Sequence, residues 1–440
     1  MYRINKVRLL LLFLLFFNFL NSIFAIDTVN LQTSRYSKLS IAINNFACSH
    51  KSLYSYYLKL NSIIISDLII SGLYNILDNI NVIDRKFGIS HVPNFAEWKK
   101  IKADILVNGE IRKESRNRYK IYFNIWDIVL NKLLLSKSFS IQRQDLNLGS
   151  HIIANHIYEL LTGAKGYFDS KIAYISEVYS REKKIKRLAV MNFDGTNNQF
   201  LTDGKNIVLN PKFSSDGKKI LYVSYAKKMP QVFLKHLYTG EEVIIGNFPG
   251  MSFAPQFSPD DKKIIFSVAK KGATNLFQMD IATQNITKIT NNFSINTSPS
   301  YSPDGEQIVI NSDYGGSSQI YIMNKDGSNK HRISFGGGSY SEPSWSPRGD
   351  YILFTKIKKG EDFMIGVMKP DGSEEKILTK GFQVEKPAWC PNGRVIIFTK
   401  LKVNSKTGLH EPYLYTIDIT GFNERLIPTP KAASHAAWAY

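Results

Sequence analysis

Five prolines, Pro211, Pro255, Pro299, Pro343 and Pro387, follow one another at intervals of 44 residues, and an isoleucine stands nine positions after each. A fixed period in this range means that one supersecondary unit is repeated. Such a unit cannot bury its apolar faces alone, so the fold must stack the copies. Each copy opens x-P-x-[FYW]-[SC], the aromatic being Phe213, Phe257, Tyr301, Trp345 or Trp389. Proline lacks a backbone donor and drives the residue before it out of the helical region, so the motif starts a short strand. A turn follows, "SPDG" at 302–305 in its fullest form, with Pro second and Gly fourth as a type I reversal prefers. The next runs, "ILYV", "IIF", "IVI", "ILF" and "IIF", are β-branched and apolar without alternation, as in strands covered on both faces. Two further strand-like runs around a polar turn complete each unit as a four-stranded antiparallel meander.

Copies of such a sheet bury both faces when they close into a ring, which is a β-propeller. "KIAYIS" at Lys171–Ser176 reads as a second strand with no first strand ahead of it, and "HAAW" at His435–Trp438 as a first strand with nothing after it. Joined, they make a sixth blade with Trp438 in the aromatic slot. The rival, an open solenoid, needs atypical capping repeats. The expectation is an all-β six-bladed propeller over 166–440, closed by the C-terminal strand.

Residues 26–165 mix helical and strand periodicities and are expected to form an α/β or α+β domain. "SIAINNF" reads as a strand and Ile63 to Leu77 as a helix; "NVID" and then a short helix around Phe95–Ala103 come next. Strand candidates "DILVNGEI", "KIYFNIWDIVL" and "KLLLSKSFSI" follow, then a helix in which Ile152, Ile153, Ile157, Leu160 and Leu161 mark one face and Gly163 the stop. The linker "GAKGYF" is short, with Gly163 and Gly166 as candidate hinges.

The chain opens with Arg3, Lys6 and Arg8, an apolar run from Leu9 to Phe17 and a small residue at Ala25. That is the anatomy of a secretory signal, with the mature chain expected to begin at Ile26. The rival is an uncleaved anchor, for which the apolar run is short of the about 20 residues a spanning helix needs. No later segment has the length and apolarity of a transmembrane helix.

Net charge is +19, divided as +3, +7 and +9 over residues 1–25, 26–165 and 166–440. No long basic block stands out, which argues against nucleic acid as a partner. None of the eight histidines forms an H-x-x-x-H pair, no C-x-x-C occurs, and neither a nucleophile elbow nor a phosphate loop is present. Glu374-Glu375 reads as a solvated turn. The reading is therefore of a protein without enzymatic activity, cofactor or metal. Cys390 fills the slot held elsewhere by Ser214, Ser258, Ser302 and Ser346, where a small buried residue fits; a disulfide to Cys48 is permitted but not required by the spacing.

"HIIANHIYELLTGAKGYFDSKIAYIS", "ISDLIISGLYNILD", "DILVNGEI", "FNIWD" and the "xPxWSPDG" repeats, in this order behind a signal, resemble the TolB family of the bacterial Tol–Pal system. The departures are Asp261 in place of a turn glycine and "HAAWAY" without the proline. The resemblance implies a periplasmic, non-catalytic scaffold that links the inner-membrane protein TolA to the outer-membrane lipoprotein Pal in division and envelope integrity. Other outer-membrane or peptidoglycan-associated proteins are further expected partners. It also implies TolA docking on the mature N-terminus, here the polar tail 26–37 with Ile26, Asp27, Thr28, Val29, Asn30 and Leu31, and Pal docking on one propeller mouth.

The repeat register places that mouth at the residues just before each blade-opening proline: Leu209 and Asn210, Phe253 and Ala254, Thr297 and Ser298, Ser341 and Glu342, Glu385 and Lys386, and His435 with Ala436. Their chemistry varies while the aromatic slot does not, as a surface fitted to one asymmetric partner would show. The alternative function is a periplasmic propeller that binds a small ligand or glycan in its channel.

Overall fold

The computed structural model describes residues 38–48, 54–77, 88–179, 184–227, 229–245, 250–404 and 408–440. The signal, the tail 26–37 and "NVID" lie outside the described residues. The first domain orders β1 (Leu39–Ile43), β2 (Ala47–Cys48), α1 (Tyr54–Ser71), β3 (Tyr74–Ile76), α2 (Phe95–Lys100), β4 (Ile105–Lys113), β5 (Arg118–Asp127), β6 (Lys132–Gln142) and α3 (Leu146–Thr162). Its sheet runs β3-β1-β4-β5-β6, with β2 also paired to β4. β1 is parallel to β3 and β4, while β4, β5 and β6 form an antiparallel meander.

Alternation along the strands divides the apolar residues between two faces. Ile41, Ile43, Val107, Ile121 and Phe123 join Leu60, Ile64 and Leu68 of α1 and Ile153 and Ile157 of α3 in one core. Ala42, Leu106 and Trp126 join Trp98 of α2 in the other. The sheet is thus covered on both sides. α1 starts and ends earlier than the periodicity predicts, because Gly72 takes φ +71 and the residues after it pair with β1 as β3. On α3 the buried face carries Ile153, Ala154, Ile157 and Tyr158, whereas Leu160 is exposed.

Six four-stranded sheets follow. Five are continuous in sequence, with inner strands Val208–Phe213, Met251–Phe257, Asn296–Tyr301, Ser339–Trp345 and Val384–Trp389. The sixth joins the closing strand Ala432–Ala439 to β7 (Lys171–Tyr179), β8 (Lys184–Asn192) and β9 (Gln199–Phe200), with Trp438 opposite Ile172. The predicted six-bladed ring closed by its two ends is what the strands form.

The serine slot is more than a space filler. The Oγ of Ser214, Ser258, Ser302 and Ser346 donates to the carboxylates of Asp216, Asp260, Asp304 and Asp350, pinning each turn. Cys390 occupies the fifth such slot as a free, fully buried thiol. Asp261, at φ +56, stands where glycine is expected, and its carboxylate accepts the N–H groups of Ser215 (2.8 Å) and Asp216 (3.2 Å) in the preceding blade.

The two domains share one core. Tyr158 of α3, Tyr167 and Phe168 of the linker, Phe193 and Trp438 are buried together, with ring centroids 4.6–5.9 Å apart along the cluster. Gly163 is the left-handed cap of α3, and a Cβ on Gly166 would meet Asn155 at 2.3 Å. Asn155 also accepts the Phe168 N–H at 2.8 Å. The two glycines serve close packing here, and the linker is seated rather than hinged.

Candidate functional site

The inner strand of every blade has the same irregularity at the same place. Pairing to the second strand shifts register after Leu209, Phe253, Thr297, Ser341, Glu385 and Ser434. The next residue in each case, Asn210, Ala254, Ser298, Glu342, Lys386 or His435, has φ between 49 and 55. A bulge of this kind needs a left-handed residue, and a following proline already bars the right-handed region. Left-handed backbone costs a non-glycine residue about 1–2 kcal/mol, so six in a ring mark a geometry the packed blades impose.

The bulges bring these six residues, with the prolines or Ala436 after them, around a cavity of about 90 Å³ inside the channel. Here the structure corrects the predicted register. The inner strands begin one to three residues before the expected start, so the pre-proline residues form a half-buried interior ring rather than the rim. Leu209, Phe253, Thr297, Ser341 and Glu385 lie one step back, in register with the second strand, and do not line this cavity. Ile26, Asp27, Thr28, Val29, Asn30 and Leu31 lie outside the described residues.

Charge within the ring is internally balanced. Lys386 pairs with Glu342, whose carboxylate also accepts the Lys386 N–H (2.8 Å) and the Thr355 hydroxyl (3.0 Å). Burial alone would raise the Glu342 pKa, but Lys386 holds it below the usual range. Burial, with Lys386 and Lys186 nearby, lowers the His435 pKa to about 3, so this imidazole is neutral. Behind it, Ser434 donates to Glu177 of β7, which also pairs with Lys186 at 2.8 Å. Burial opposes ionisation of Glu177, yet these partners lower its pKa to about 2.

The rim is made by the loops that lead into the inner strands and those that join the second and third strands. Antiparallel topology puts both sets at one end of the ring. They carry Phe293, Tyr314, Phe335 and Phe382, with 95%, 65%, 71% and 66% of their surface exposed. Aromatic side chains are ordinarily buried, and a concentration of exposed ones marks a docking surface. The repeat register did not find them, because they lie outside the repeating motif. The available signal was a phenylalanine inside each of the polar loops "NNFSIN", "SFGGGS" and "KGFQVE".

At the opposite end the channel opens into a chamber of about 390 Å³ bordered by the aromatic slots. A third cavity, about 610 Å³, lies between α1 and the last blades. Beside it His151 of α3 meets Asp67 of α1 at 2.7 Å, both buried, with the His151 ring edge-on to Phe193. Burial raises the Asp67 pKa to about 6, whereas Asp67 raises that of His151 against its burial. Glu375 is not a solvated turn residue: it pairs with the buried Lys356 and accepts from the Tyr340 hydroxyl at 2.7 Å. Among the described residues no group of His, Cys, Asp and Glu is arranged to hold a metal ion, and no helix is long and apolar enough to cross a membrane.

The family model for the TolB amino-terminal domain matches residues 27–134, and that for the TolB beta propeller domain matches residues 158–440. The Tol-Pal system protein TolB of Rickettsia africae is 46% identical over 232 residues, 52% of this chain and 52% of that one. The protein of the same name from Rickettsia bellii is also 46% identical, over the same shares. The match thus spans about half the length of these curated relatives. The crystal structure of TolB from Acinetobacter baumannii superposes with a TM-score of 0.82 at 26% identity, covering 92% of this chain and 97% of that one.

Proposed function

This chain belongs to the TolB family, and from that premise we propose that it is a non-catalytic periplasmic scaffold of the Tol-Pal system. It links inner-membrane TolA to the outer-membrane lipoprotein Pal, and so serves outer-membrane invagination during division and envelope integrity. The observation that supports a docking role most is the rim of exposed aromatic side chains around a half-buried ring of varied polarity. Large apolar anchors around a recessed centre fit a protein partner, since a few central residues ordinarily carry most of the binding energy. TolA is assigned to the tail 26–37, on the polar character of that segment and its place ahead of the first strand.

Calorimetry of the exported protein against the Pal domain tests the reading. Binding that is lost on Phe293→Ala with Phe335→Ala, in a variant that melts like the wild type, is the expected result. Unchanged affinity in that variant overturns docking on this rim.

A further inference from the structure

The residue after each blade-opening proline stands at the waist of the channel, where the interior ring gives way to the far chamber. Around the ring these positions are Lys212, Gln256, Ser300, Ser344, Ala388 and, in the closing blade, Ala437. Three of them, Ser300, Ala388 and Ala437, are buried, whereas Lys212, Gln256 and Ser344 remain partly open and line both the ring cavity and the chamber. The open three have something in common. Neither the Lys212 ammonium, the Gln256 side-chain amide nor the Ser344 hydroxyl has a hydrogen-bond or ion-pair partner among the described residues.

Lys212 is the more telling of them, since an ammonium deep in a protein is ordinarily paired. The charges that act on it are Glu342, which attracts it, and Lys386, which repels it. Glu342 is already occupied by Lys386, by the Lys386 backbone and by Thr355. Burial lowers the Lys212 pKa, as it does for an amine without a counter-charge of its own. The residues lining the chamber include no aspartate or glutamate, and Lys212 is their one lysine or arginine. The acidic residues of the nearby turns, Asp216, Asp260 and Asp304, are held by serine hydroxyls and backbone N–H groups. The remaining walls are the aromatic slots, Tyr440, serines, prolines and alanines, with Gln256.

We propose that the waist and far chamber of the channel bind a carboxylate, its oxygens taken by Lys212 with Gln256 and Ser344 as the flanking donors. The single uncompensated cation fits a monoanion better than a phosphate dianion, and the aromatic walls suit the carbon skeleton behind a carboxylate. This takes up the small-ligand use of a propeller channel. It does not depend on docking at the rim, which lies at the other end.

A carboxylate here has two sources, a free small acid or the end of a peptide, and the experiment separates them. The full chain is melted while sodium acetate replaces sodium chloride at constant ionic strength, and again with a tripeptide bearing a free C-terminal carboxylate or its C-terminal amide. The expected result is a saturable rise in melting temperature with acetate or with the free-acid tripeptide, and none with the amide. Acetate activity identifies small acids as ligands; activity of the tripeptide alone identifies peptide termini.

Lys212→Met is expected to weaken the effect at least tenfold while melting in chloride at or above the wild-type temperature, since it removes an unpaired charge. Gln256→Ala, which tests the site should Lys212→Met not fold, is expected to weaken the effect severalfold. No saturable shift with either carboxylate overturns the proposal, as does a shift retained in Lys212→Met or undiminished in Gln256→Ala.

Discussion

The indole N–H of Trp438 donates to the Ser170 hydroxyl at 2.7 Å, although 268 residues separate the two in sequence. Ser170 immediately precedes β7, so this bond fastens the last strand of the ring to the start of the first. The Trp438 ring also packs edge-on against Tyr167, at 5.7 Å between centroids, within the core shared by both domains. Trp438→Ala removes the ring and leaves a cavity there, a change that typically costs about 3–5 kcal/mol. Chemical denaturation is expected to show a loss of that size, and deletion of Ala436–Tyr440 a larger one. A truncated chain that melts at the wild-type temperature contradicts closure by this strand.

The neutral His435 gives the propeller a defined sensitivity to acid. Its pKa is lowered to about 3 by burial and by Lys386 and Lys186, against the ordinary 6.5. A depressed folded-state value means that the stability is fully present above pH 6.5 and is lost as pH falls toward 3, by up to about 1.4 kcal/mol per unit. Asp67, with its raised pKa of about 6, acts in the opposite direction over part of this window. It is common to wild type and variant and cancels in their difference. Urea unfolding at pH 7, 6 and 5 is therefore expected to show a shallower loss in His435→Gln; parallel curves assign the acid sensitivity elsewhere.

Thr297→Arg, Ser298→Arg and Glu385→Arg are each expected to weaken Pal binding tenfold or more without unfolding the protein. Ser298 lines the ring at φ +51, so an arginine there fills the recess, while Thr297 and Glu385 lie one step back toward the rim, where an arginine adds bulk and charge at its entrance. Asp326 sits in a turn between third and fourth strands, at the other end of the ring, and Asp326→Arg is the control. Calorimetry in which the control loses binding and the three variants keep it places the docking face at the wrong end.

Deleting residues 26–37 is expected to abolish TolA binding and to leave the melting temperature close to that of the full chain, because among the described residues the cores on both faces of the first-domain sheet are filled from Ile41 onward. Pull-down with the TolA domain and a thermal melt together decide it. Retained TolA binding removes the tail from the mechanism.

The repeat was legible because proline, aromatic and isoleucine hold fixed places, and each has one dominant structural use. Closure was legible from the same register, since Trp438 and "KIAYIS" could be recognised as missing parts of one blade. The bulge was not. Asn210, Ala254, Ser298, Glu342, Lys386 and His435 share a left-handed backbone but no side-chain type, so nothing in their identities announces it. The rim phenylalanines escaped for a related reason, since a residue in a loop is fixed by its partner and not by the fold. The end of α1 was misplaced because Ile70, Leu73 and Ile76 continue an apolar pattern across Gly72, where helix gives way to strand.

The way the ring is fastened also sets an order of events. β7 is among the first propeller strands to emerge, yet its inner-edge partner is the closing strand, and the Ser434–Glu177 contact spans 257 residues. Until the last residues are available, β7 presents an unpaired edge, and Ile172 and Tyr174 lack the core they share with Trp438. Contacts of such separation form late, because chain closure must precede any return in packing. An open sheet edge in the meantime is a template for pairing with another chain. The sixth blade is therefore the slow, vulnerable stage of maturation, and a chain stopped short of Ala432 faces aggregation before it faces loss of function.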